Sequence, residues 1–159
     1  MPFDSMPIIE APRRPFTVDG AAFDLGLSRP TTDGLRARPI PRWHASLHAE
    51  RIDSTLNVLT RARELIGDEQ RWCRRTYARG WRGLPVPVQS SAAHRFCAVG
   101  ALLRAGRELG LPVEDARNAL EWQTVRPVQD WNDDPARTHR EVTAAFDAAV
   151  AALEKSAVL

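Results

Sequence analysis

Ile52, Leu56, Leu59, Ala62 and Ile66 follow one another at intervals of four, three, three and four residues. That spacing paints one face of an α-helix. Ser54 is its candidate N-cap and Gly67 its candidate stop. A second, shorter helical piece is read over about 69–77. Gly80, Gly83, Pro85 and Pro87 then mark a loop that continues through Ser90 and Ser91. From His94 to Leu109 apolar residues cover nearly the whole helical circumference as far as Leu103. A helix apolar on all sides is a buried one. Gly100 and Ala101 are small and would let a neighbouring helix come close. Gly110 and Pro112 end this element. Pro112, Glu114 and Asp115 suit the first turn of the next helix, with Val113, Ala116, Leu120 and Trp122 facing inward. Residues 123–134 read as a loop.

Two helix starts compete after that loop. One uses Asp134 as N-cap with Pro135 behind it. The other is the capping box Thr138–Glu141. In both, Val142, Ala145, Phe146, Ala149 and Leu153 form the buried stripe of a long final helix. No period-two stretch is long enough for a strand, and no internal repeat is present. The expected fold is all-α, a small bundle of four to five helices.

Seven of the twelve prolines fall within residues 1–43. Proline fixes φ and removes a backbone donor, so helix and central strand are both disfavoured there. The expected organisation is a proline-rich, extended or disordered arm over 1–45 and a helical domain over 46–159. The whole chain has 159 residues, enough for one domain. Its longest apolar run, Phe96 to Leu103, is eight residues, against the roughly 20 that a membrane span needs. The N-terminus has an acid and no basic stretch before an apolar run, so it is not read as a secretory signal. Two cysteines do not make a disulfide framework, and a reducing cytoplasm is the expected compartment.

Charge changes this picture more than composition does. The net charge is +2, but residues 51–107 hold eleven Arg and four acids, and residues 108–159 hold five basic residues and ten acids. The middle is basic and the end acidic. Either the two parts face and neutralise each other, or the basic surface meets an acidic partner or nucleic acid. The basic residues are arginine except for Lys155, a bias that a GC-rich genome alone could produce. Segment 71–82 concentrates it, with five arginines, Arg71, Arg74, Arg75, Arg79 and Arg82, among Trp72, Tyr77 and Trp81. Arginine forks grip phosphates and carboxylates, and aromatic rings stack on bases. The plainer reading puts Trp72 and Trp81 in the core, with the arginines solvated or paired to acids of the C-terminal third.

Trp72, the string Phe96-Cys97-Ala98-Val99-Gly100-Ala101-Leu102, the string Trp131-Asn132-Asp133, and Thr138 with Val142 occur in that order. This resembles a family of small bacterial and phage proteins classed as a domain of unknown function, over about residues 53–153. Members carry an aromatic-Cys-Ala-x-Gly-Ala-Leu element and then a Trp/Phe-Asn-Asp element. Phe96 stands where many have Trp. The resemblance implies a shared helical core and a shared site around Cys97, Asn132 and Asp133. It brings no established activity.

Cys97 is the candidate nucleophile, with His94 one helical turn before it and His139 and Asp133 as partners across the fold. The competing reading is a buried cysteine among apolar neighbours. Asn132, Asp133 and Asp134 could act on a metal or a proton, but short polar side chains before a helix more often cap it. His44 and His48 share a helical face, yet neither an HExxH pattern nor a cysteine pair at ligand spacing accompanies them. No metal and no cofactor is expected. The leading expectation is a non-enzymatic interaction or accessory protein, associated with phage or mobile elements, with a protein partner. A cysteine enzyme and a nucleic-acid binder through residues 71–82 are the alternatives.

Overall fold

The computed structural model describes residues 37–39 and 49–158. The first apolar face becomes helix α1 (Ala49–Leu65), which buries Ile52, Val58, Leu59 and Ala62. Ser54 lies inside it and does not cap it. Its hydroxyl donates to the Glu50 carbonyl one turn back, at 2.7 Å. A single 3-10 turn, Glu69–Arg71, takes the place of the longer helical piece expected to reach residue 77. Trp72 is extended, and Arg75 has a φ of 64°, a left-handed conformation that no right-handed helix can continue through.

The all-α expectation needs one correction. The described residues are mostly helical, but β1 (Ala78–Gly80) and β2 (Ala93–Phe96) pair in a two-stranded antiparallel sheet. Ala78 faces Phe96, Arg79 faces Arg95, and Gly80 faces Ala93, so the register skips His94. Trp72 also bridges to Phe96, and Arg79 to Pro85, which widens the sheet at both edges. Strands of three and four residues, interrupted by a bulge, are too short to show a period of two.

Residues 94–96 are therefore strand, and helix α2 (Ala98–Leu109) starts with Cys97 as its N-cap. Gly110 ends it at a φ of 66°, with its own N–H and that of Leu111 turned back onto the Arg107 and Gly106 carbonyls. Helix α3 (Glu114–Thr124) is followed, within the segment read as loop, by a short α4 (Val128–Asp133). Thr138 opens α5 (His139–Ala157) with a complete capping box to Glu141. Asp134 instead makes a turn of its own, accepting from the Ala136 N–H at 3.0 Å.

Helix α1 lies against α2 and α5, α3 packs on α5, and α4 meets α2 and α3. Leu59, Ile66, Leu102, Leu120, Val142 and Phe146 fill the space between them. Gly100 does permit a close approach, but by the backbone of Tyr77 just before β1 and not by a helix. A Cβ there would stand 1.8 Å from the Tyr77 carbonyl oxygen.

Of the N-terminal arm, only residues 37–39 are described, and they lie against the end of α3. The Arg38 N–H donates to Gln123 Oε1 at 2.8 Å, and Gln123 Nε2 donates to the Arg38 carbonyl at 3.1 Å. The Gln123 amide thus acts as a strand neighbour would. Trp122 Nε1 donates to the Pro39 carbonyl at 2.8 Å. The rest of residues 1–45, and with it His44 and His48, falls outside the described residues. Among the described residues, no helix is long and apolar enough to cross a membrane.

Candidate functional site

Asn132 ends up fully buried near the end of α4, and its amide is completely used. Oδ1 accepts from Trp72 Nε1 at 2.9 Å and from the Ala98 N–H at 3.1 Å. Nδ2 donates to the Cys73 carbonyl at 3.3 Å and to Asp133 Oδ1 at 2.8 Å. An amide offers two acceptor sites and two donors, so nothing is left over. Asn132 therefore satisfies an orphan donor in the first turn of α2 and ties that turn to the Trp72–Cys73 segment.

Asp133 continues the network. Its Oδ1 accepts from the Arg75 N–H at 2.8 Å, which holds the left-handed turn. Its Oδ2 accepts from Gln129 Nε2 at 2.7 Å. Gln129 Oε1 in turn accepts from the Cys97 thiol at 3.8 Å. Cys97, Gln129, Asn132 and Asp133 thus form one hydrogen-bonded group. Gln129 carried no signal in the sequence.

The chemistry of Cys97 follows from its position. It is fully buried, and its Sγ accepts from the Gly100 N–H at 3.3 Å as a helix cap. Burial pushes its thiol up to about 11, and the backbone N–H groups offset that only in part. Cys73 is pushed further, to about 12, mainly by burial. Both are free thiols.

The histidines lie elsewhere. His94 is in β2, so helical spacing does not relate it to Cys97. Its ring stacks on Trp81, with centroids 3.5 Å apart and planes 17° apart. His139 Nε2 is 2.6 Å from the Ile66 carbonyl, where it meets the end of the α1 chain, and its ring leans on Trp72. Among the described residues, no hydrogen bond joins either histidine to Cys97 or Asp133, and no three His, Cys, Asp or Glu side chains converge as a metal site.

The arginines divide into two groups. Arg51, Arg61 and Arg63 on α1 meet Asp115, Glu108 and Asp147 on α3, α2 and α5, at 2.7–2.9 Å. That is the basic middle neutralised by the acidic end. Arg71, Arg74, Arg75, Arg79, Arg82 and Arg95 behave differently. Among the described residues, none of the six pairs with a carboxylate. Arg74 lies over the Trp72 ring and donates to the Pro135 and Arg137 carbonyls. Arg79 donates to the Gly83 and Arg74 carbonyls, at 2.8 and 3.3 Å. Arg71, Arg75 and Arg82 are exposed. Trp72 is half-buried, whereas Trp81 is 74% and Tyr77 50% exposed, so Trp81 is no core residue.

His94 and Arg95 add to this surface. Only the hairpin, which brings residue 95 opposite residue 79, could have revealed their place.

The order of elements, the Cys97 cap and the Asn132–Asp133 anchor can be compared with known proteins. Residues 51–152 match the model of a family of unknown function, DUF6197. No curated protein and no solved structure matches the chain. Since the match spans well over half of its length and includes every element from α1 to most of α5, the chain belongs to the DUF6197 family.

Proposed function

We propose that this protein is a non-enzymatic binding module whose contact face is the arginine-rich hairpin over residues 71–95, and that its partner carries negative charge. One observation carries the reading: among the described residues the six arginines of that stretch have no carboxylate partner, while those of α1 find theirs across the helix interfaces. No acid occurs from Gln70 to Arg107, so the segment itself supplies no counter-charge. The cysteine-enzyme reading has less behind it, because a fully buried thiol engaged as a helix cap serves structure.

Heparin affinity tests the reading. The full chain should be retained at low salt and released by modest salt, as counterion release requires. Arg71→Gln/Arg75→Gln/Arg82→Gln changes three exposed side chains and should elute in the flow-through with its melting temperature unchanged. Absence of retention by the unaltered protein at low salt would overturn the proposal.

A further inference from the structure

We infer that the anionic partner is a single-stranded nucleic acid, with Trp81 as the stacking platform for a base and the arginines beside it gripping the flanking phosphates. This rests on the reading of the hairpin as an anion-binding face. Two observations favour a strand with unpaired bases.

First, Trp81 is 74% exposed although it is the most costly residue type to leave in water. One face of its ring is covered by His94 at 3.5 Å and nearly parallel, and no other ring contacts it among the described residues. The indole is therefore held flat with its second face open. Any base has a π-face to lay on such a ring, and stacking is tolerant of sequence. A duplex keeps its base faces covered, and the carboxylates of an acidic peptide have no π-face to lay on the ring.

Second, both members of the stacked pair have a basic neighbour in the chain. Arg82 follows Trp81 in the chain, and Arg95 follows His94. Arg95 is also paired in register with Arg79. Arg79 spends its guanidinium on the Gly83 and Arg74 carbonyls, so Arg82 and Arg95 are the charges nearest in the chain to the stacked pair.

The experiment is fluorescence anisotropy with the full chain and a labelled 15-mer, as single-stranded DNA, as single-stranded RNA, and as the duplex of the same sequence, at low salt. Unlabelled polyglutamate serves as competitor. Either single strand should bind at least tenfold tighter than the duplex, and the DNA and RNA arms identify the source of the strand. Trp81→Ala should weaken single-strand binding about tenfold without changing its salt dependence, because it removes stacking and no charge. Trp81→Phe should recover most of that loss. Arg82→Gln and Arg95→Gln should each lower the slope of log affinity against log salt by about 0.7. Duplex binding as tight as the single strand, an unaffected Trp81→Ala variant, or equal competition by polyglutamate would each overturn this inference while heparin retention kept the broader reading standing. Loss of all polyanion binding would remove both.

Discussion

Cys97 and Asn132 are two small side chains that do at close range what the sequence suggests only in outline. The Asn132 amide is spent on four hydrogen bonds, none of which is to the helix that follows it. A short polar residue before a proline-containing turn reads as a cap, and in a sense it is one. It caps α2, far away in sequence, because Trp72 and Cys73 hold the start of that helix in reach. Long-range partnership of this kind leaves no mark in local spacing. Cys97 is legible as buried from its neighbours, but its role as an N-cap depends on the strand that ends at Phe96. The two thiols also give the protein a pH dependence. Both are held neutral in the fold, at about 11 and about 12, above the ordinary value of 9.0. In the unfolded chain they ionise first, so the folded state binds more protons in that window. Their stabilising contribution is complete below about pH 9 and is lost as pH rises through 11 to 12. Urea midpoints under reducing conditions should therefore fall from about pH 9 upward, and Cys73→Ala/Cys97→Ala should flatten that decline relative to the unaltered chain. An identical decline in both would show that the thiols ionise without penalty.

The elements divide by the kind of signal that specifies them. Helices α1 and α5 carry a period of 3.6 over three or more turns, α2 is apolar nearly all round at its start, and the stripe Val142, Ala145, Phe146, Ala149 and Leu153 is buried in full. The capping box at Thr138 is a local chemical fact and is equally readable. In it the Glu141 carboxyl lies below its ordinary value: burial raises it, but donation from the Thr138 N–H and hydroxyl and the charge of Arg137 outweigh that. The strands are different. Three residues of β1 are specified by what lies on either side, above all by Gly100. With only a hydrogen at that position, the Tyr77 carbonyl reaches the first turn of α2 and accepts from the Cys97 N–H at 3.2 Å. Gly100→Ala would place a methyl where that oxygen stands, and neither a backbone carbonyl nor a buried helix gives way cheaply. A loss of about 3 kcal/mol or more is expected in urea unfolding. A loss under about 1 kcal/mol would mean that the hairpin can slide away from the helix.

At the scale of the molecule, near-neutral charge conceals a division of labour. The acids of the C-terminal third serve the α1 arginines as cross-helix partners, a contribution of at most about 1 kcal/mol each at this exposure. Among the described residues, the hairpin arginines pair with no carboxylate. That split was not readable from the segment totals, because sequence arithmetic cannot tell an arginine opposite a carboxylate from one opposite another arginine. The close seating of the hairpin on α2 has a further consequence, which concerns opening motions. The amides of Cys73, Cys97 and Ala98 are bonded to Phe96, Tyr77 and Asn132, so each lies at a joint between sheet, helix and core. Such joints cannot open while the core stays closed. Hydrogen exchange at these three positions should therefore require the same free energy as exchange within α2, in one cooperative unit with it. A strand of nucleic acid held by the exposed side of the hairpin would then slow exchange throughout the helical domain, by mass action on global unfolding. Protection confined to the hairpin would instead reveal a unit that opens by itself.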